Sequence, residues 1–186
     1  MGDIKKPRKK WKGPTNPWLL SSLQSEMQLM GKYGLRNKRE LYVAEAVARK
    51  YRRMEREFFA LPPDERAKNE SELIKRLYDL GFLESPQGTS DNVLSMGVEA
   101  VLGRRLQSLV AQKAGISYHA ARQLITHGHV KIFGRTMKSP GALINREDEK
   151  GIELPVMLIE KMVGSRDNNK ASQQAGSRDL AESHGE

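Results

Sequence analysis

The stretch Leu102-Gly-Arg-Arg-Leu-Gln-Ser-Leu-Val-Ala-Gln-Lys-Ala-Gly-Ile-Ser-Tyr-His-Ala-Ala-Arg-Gln-Leu-Ile-Thr-His-Gly-His-Val-Lys-Ile132 reads as helix, stop, cap, second helix, stop and strand. From Val98 through Val101, Leu102, Leu106, Leu109 and Val110, apolar residues recur at helical spacing, and the stripe is expected to run to Ala114 and stop at Gly115. Ser117 is placed to cap a second helix carrying Ala121, Leu124 and Ile125, with a left-handed end at Gly128. His129 to Arg135 then alternates into a glycine turn, and Ile152 with Leu154 offers a later strand. The fold class follows: mainly α with a small β-sheet (α+β), in which a helix hairpin and small sheet form one module over 98–163.

Towards the N-terminus, residues 19–97 read as helical. Leu20, Leu23, Met27 and Met30 suggest a short amphipathic helix with its apolar residues in the core and a glycine-rich exit at Gly31 and Gly34. Asn37 followed by Glu40 has the form of a capping box, after which Leu41, Ala44, Val47, Ala48, Tyr51 and Phe58 trace one face of a long helix. Leu61-Pro62-Pro63-Asp64 marks a break before a third helix with Leu73, Ile74, Leu77 and Leu80. Asp91 is expected to cap a short turn. Residues 1–18 form a cation- and proline-rich extension, and the polar run 164–186 lacks apolar periodicity, which predicts a disordered tail.

Charge sets the class of partner. Lys and Arg exceed Asp and Glu by 32 to 23, a formal charge of +9 with a pI near 9.8, which calls for a polyanion. Residues 1–60 hold 15 cations and 6 carboxylates, and 15 − 6 accounts for the whole excess. No apolar run approaches the roughly 20 residues of a membrane span, and no apolar segment follows the basic N-terminus as in a signal peptide, so a cytoplasmic protein is expected. The chain has no cysteine, which excludes disulfides, thiolate catalysis and cysteine-ligated zinc. Aromatics make up only 6%, so recognition is expected to lean on phosphates and shape rather than on a stacking platform.

Two basic regions are candidate RNA contacts. In the first, Lys9, Lys10 and Lys12 of the extension accompany Arg49, Arg52, Arg53 and Arg56, which stand at i, i+3, i+4 and i+7 on the polar side of the long helix. Trp11 and Trp18 mark the extension as more than a solubilising arm. In the second, Arg104, Arg105, Lys113, Arg122, Lys131, Arg135 and Lys138 flank the helix hairpin in a stretch without any acid between Glu99 and Glu147. Arg122 is expected on the exposed face of the second hairpin helix. His119, His127 and His129 lack an acidic or thiol co-ligand, so RNA contact or capping is preferred to a metal. No carboxylate pair, nucleophile and base set or phosphate-binding loop stands at a useful spacing, so no enzyme activity is expected.

The quoted stretch resembles the RNA-binding module of the small-subunit ribosomal protein four family. The run Gly31-Lys-Tyr-Gly-Leu-Arg-Asn-Lys-Arg-Glu40 is similar to the archaeal and eukaryotic branch, whose eukaryotic form is numbered nine. With it Arg36, Asn37, Lys38 and Arg39 join the rRNA-contact candidates. Comparable modules occur in pseudouridine synthases, a tyrosine tRNA synthetase and a heat-shock RNA-binding protein, and a ribosome-assembly relative shares the layout. The resemblance implies a structural protein that binds the 5′ domain of small-subunit rRNA early in assembly. It also implies a place beside ribosomal protein five where mRNA enters, with a part in translational accuracy. Bacterial members carry an N-terminal zinc-binding cysteine set that is absent here, so no metal or other cofactor is transferred.

Overall fold

The computed structural model describes residue 9 and residues 11–86, 88–155 and 157. Lys10 and the tail at 164–186 lie outside them. The protein is mostly helical, with helices α1 (Leu20–Lys32), α2 (Lys38–Phe58), α3 (Pro63–Asp79), α4 (Ser90–Leu94), α5 (Val98–Gly103), α6 (Leu106–Ala114) and α7 (Tyr118–Thr126). Strands β1 (Lys131–Ile132) and β2 (Arg135–Thr136), helix α8 (Arg146–Lys150) and strand β3 (Ile152–Glu153) complete the order. No helix among the described residues is long and apolar enough to cross a membrane.

Helix α2 organises the first core. Leu41, Ala44, Ala48 and Tyr51 are buried along the face read from the sequence, with Val47 and Phe58 packed beside them. Leu73, Ile74 and Leu77 of α3, Val93 of α4 and Val101 and Leu102 of α5 close over that face. The capping box is not formed. Asn37 is the N-cap residue of α2, but its side chain makes no cap bond, and the Glu40 carboxylate turns instead to two arginines of the hairpin module. Thr89, not Asp91, occupies the N-cap position of α4, and Asp91 lies in its first turn.

Helix α1 docks on a different face from the expected one. Leu20 and Met27 are each 67% exposed, and the one buried residue of the helix is Glu26. Lys38 Nζ lies 2.8 Å from its carboxylate, and the Tyr42 hydroxyl donates to it at 3.3 Å. Glu26, Leu29, Met30 and Tyr33 are themselves spaced i, i+3, i+4 and i+7, so a second stripe, rotated from the apolar one, meets α2. Past the helix end Gly34 adopts φ +57°, and a Cβ there would stand 2.4 Å from Tyr118 Cβ. Only glycine satisfies both the left-handed turn and this close approach to α7.

The apolar stripe from Val98 to Ala114 is not one helix. It breaks between α5 and α6 at Arg104 and Arg105, where Arg105 is extended (φ −73°, ψ 145°) and serves as N-cap of α6. The break frees backbone groups for a crossing segment. Leu106 N–H donates to Ala142 O at 2.8 Å, Gln107 N–H to Pro140 O at 3.2 Å, and Ile144 N–H to Arg104 O at 3.1 Å. The two cores part at this point, a few residues beyond the division at 97/98 read from the sequence. Leu102 ends the first, and Leu106, Leu109, Val110, Ala121, Leu124, Ile125, Val130 and Ile132 build the second.

The hairpin helices follow the sequence closely. Ser117 caps α7 by accepting from Ala120 N–H at 3.2 Å, and Gly115 and Gly128 both have left-handed φ. Strand β1 lies between β2 and β3, antiparallel to both, with Lys131 opposite Thr136 and Glu153. Its two-residue turn to β2 places Phe133 at φ 47° and Gly134 at φ 75°. Positive φ at both central positions is the primed turn that suits strand twist, for which Asn-Gly is the favoured pair. A phenylalanine at the first of them costs on the order of 1–2 kcal/mol.

Candidate nucleic-acid interface

The first basic region is assembled on α2. Its outer face carries Arg49, Arg52, Arg53 and Arg56, as expected. Two of the four make exposed ion pairs along the helix, Arg49 with Glu45 at 3.7 Å and Arg53 with Glu57 at 2.8 Å. Such pairs are worth under about 1 kcal/mol and yield readily to a phosphate. Arg52 and Arg56 have no ion pair among the described residues. Trp11 stacks on Tyr42 with ring centroids 5.6 Å apart, and Lys9 Nζ sits 3.7 Å from the Trp11 ring centre. This stacking lays the extension along α2, so that Lys9, Trp11 and Lys12 form an open groove with Arg49, Lys50 and Arg53. Lys50 escaped the sequence reading because it lies outside the i, i+3, i+4 set. Trp18, by contrast, is 88% exposed.

At the start of α2, Arg36, Asn37 and Arg39 are exposed. Lys38 is committed to Glu26, whose hydrogen bond holds the ammonium pKa above its ordinary value.

The second region divides in two. Arg104, Arg105 and Arg122 are not the free surface cations expected of them. Arg105 is buried and reaches Glu40 at 2.7 Å, while Arg122 reaches the other oxygen of Glu40 at 2.9 Å and Gln107 Oε1 at 3.3 Å. Gln107 also donates to Gly34 O at 3.1 Å and Tyr118 O at 2.9 Å. Burial pushes the Glu40 carboxyl up, but hydrogen bonds and charge from Arg122 and Arg105 outweigh it and hold the group below the usual carboxylate range. Arg104 pairs with Glu149 at 2.6 Å and donates to Ile144 O at 3.0 Å, and Lys113 donates to the Glu149 carbonyl. A hairpin without acids thus borrows Glu40 from α2 and Glu149 from α8. The acid-free run from 100 to 146 held this signal, because partly buried arginines require carboxylates from elsewhere.

Outside that network, His119, His127, His129, Lys131, Arg135 and Lys138 are exposed. Lys131, Arg135 and Lys138 have no ion pair among the described residues. The His127 and His129 rings lie 6.3 Å apart, and no group of three metal-ligating side chains occurs among the described residues. Arg146 was missed by the sequence reading. It donates to Tyr78 O at 2.8 Å and Leu83 O at 2.6 Å, with its guanidinium over the Tyr78 ring, so it ties α8 to the C-terminal end of α3. The protein therefore offers one groove of gathered cations on α2 and a second set of exposed cations on and around the β1–β2 hairpin, an arrangement able to meet a phosphate backbone.

Residues 104–150 match the family model described as the S4 domain. The chain is 52% identical over 152 residues to small ribosomal subunit protein uS4 of Ignicoccus hospitalis, covering 81% of this chain and 90% of that protein. The protein of the same name from Metallosphaera sedula is 47% identical over 154 residues, 82% of this chain and 86% of the relative. That of Saccharolobus islandicus is 43% identical over 178 residues, 95% and 96% of the two chains. The shared name is that of a ribosomal subunit protein and not of an enzyme. With identity at this level along nearly the whole of these relatives, the chain belongs to the small ribosomal subunit protein uS4 family.

Proposed function

We propose that the protein is a structural constituent of the cytoplasmic small ribosomal subunit and binds its rRNA through both basic surfaces. The observation that carries this reading is the groove in which Lys9 and Lys12 of the extension meet Arg49, Lys50 and Arg53 of α2. Cations brought together from two separate chain segments repel one another, and the two weak exposed ion pairs among them do not neutralise the groove, so it suits a phosphate backbone. In the same proposal residues 1–18 are an rRNA-binding extension, 19–97 the helical rRNA-binding region and 98–163 the RNA-binding module. The finer assignment is to the 5′ domain of the rRNA early in assembly. The protein then lies beside ribosomal protein five where mRNA enters and contributes to translational accuracy.

Sedimentation of a cell lysate tests the reading. The protein is expected to travel with mature small subunits through a salt wash. Its confinement to precursor particles would instead make it an assembly factor of the same family.

A further inference from the structure

Phe133 is the only non-glycine residue with positive φ among the described residues, and the residue is 65% exposed at the tip of the β1–β2 turn. Turn chemistry favours Asn at that position, where it would cost nothing. The ring is also held. It lies against Gly151, so close that a Cβ there would come within 2.6 Å of it, and Phe133 N–H donates to Gly151 O at 3.0 Å. One side of the ring is thus fixed on the backbone after α8, and the rest faces solvent. Lys131 and Arg135 stand on the strands that enter and leave the turn, both exposed and without an ion pair among the described residues, and because Arg135 pairs with Ile132 the two cations lie on opposite faces of the hairpin. A strained, backed and exposed aromatic at the tip of a hairpin that carries one unpaired cation on each face has the composition of a nucleotide subsite: a π-face for a base and positive charge for the phosphates on either side of it.

We propose that Phe133 stacks on an unpaired RNA base, in a loop or bulge, while Lys131 and Arg135 hold the adjoining phosphates. This rests on the rRNA-binding function above and adds base stacking to a surface otherwise read as phosphate recognition. The hairpin tip then selects RNA that displays a base, not uniform duplex.

The test is equilibrium binding of the full chain to a transcript of the small-subunit rRNA from the same source, at several salt concentrations. Phe133→Leu and Phe133→Asn are expected to weaken binding about tenfold without changing the salt slope, since neither removes a charge. Phe133→Trp is expected to retain wild-type binding. Phe133→Asn separates this role from a structural one, because it relieves the turn and raises the melting temperature of the free protein while still losing affinity. Wild-type affinity in the Asn or Leu variant would overturn the inference and leave rRNA binding intact. No preference of the wild-type chain for the transcript over a non-specific polyanion would overturn both.

Discussion

Glu55 is the residue most at odds with its surroundings. It lies on the buried face of α2 with no exposure, and neither carboxylate oxygen has a hydrogen-bond partner among the described residues. Burial pushes its pKa above the ordinary 4.5; the neighbouring Ser90 and Arg66 side chains offset this only in part, and Glu70 adds to it. A raised pKa in the folded state means that ionisation weakens the fold. Stability is therefore regained as pH falls from neutral through the raised value towards 4.5. Glu55→Gln is expected to raise unfolding free energy by about 1–3 kcal/mol at pH 7, a gain that shrinks in urea melts at lower pH. A destabilised Gln variant at pH 7 would show that the carboxylate is needed. Arg122 has the opposite character. Its ion pair with Glu40 is only a fifth exposed, so Arg122→Ala is expected to cost about 1–3 kcal/mol, read from the same melts. The sequence placed Arg122 on its helix but said nothing of its partner Glu40, which lies 82 residues away.

Elements were legible where periodicity and punctuation agreed. The face of α2, the serine cap of α7 and the glycine turn after β1 each followed from local rules, since the residues that decide them are a few positions apart. Helix α1 and the α5–α6 break did not. Two stripes of α1 could face inward, and the choice fell to Lys38 and Tyr42, which hold Glu26 against α2. Leu20→Ser is thus expected to change stability by less than about 0.5 kcal/mol, and Met30→Ala to cost about 1–2 kcal/mol, in chemical denaturation. The break is likewise a long-range event, made by backbone bonds to residues 140–144. Glu40 fastens this arrangement by joining the first turn of α2 to the caps and faces of α6 and α7. Its pKa is depressed, so its contribution is present above the ordinary carboxylate value and is lost as pH falls through the lowered one. Thermal melts across acid pH are expected to show wild type losing this increment and Glu40→Gln lacking it throughout. Parallel curves for the two proteins would deny the link between the cores.

Across the whole molecule, charge divides between packing and surface. The candidate interface was readable from sequence as a set of cations, but only the packing divides that set. Arg104, Arg105 and Arg122 are spent inside the protein, whereas Lys9, Lys12, Arg52 and Arg56 make no ion pair among the described residues. The two termini make this testable. Residues 1–18 contain Lys5, Lys6, Arg8, Lys9, Lys10 and Lys12 against Asp3, whereas residues 164–186 contain Arg166, Lys170 and Arg178 against Asp167, Asp179, Glu182 and Glu186. Deleting the first therefore removes a net five positive charges, by 6 − 1, and deleting the second removes one net negative charge, by 4 − 3. Each lost phosphate contact lowers the slope of log affinity against log salt by roughly 0.7–0.9. Removal of 1–18 is expected to weaken rRNA binding and flatten that slope by several such steps, because Lys9 and Lys12 complete the groove on α2. Removal of 164–186 is expected to leave both quantities unchanged. Trp11 adds a control that charge alone would not predict. Since it anchors the extension on Tyr42, Trp11→Ala is expected to weaken binding with every cation retained, by freeing an arm that must then be ordered on the RNA. Equal affinities for the full chain and the 1–18 truncation would remove the extension from the interface.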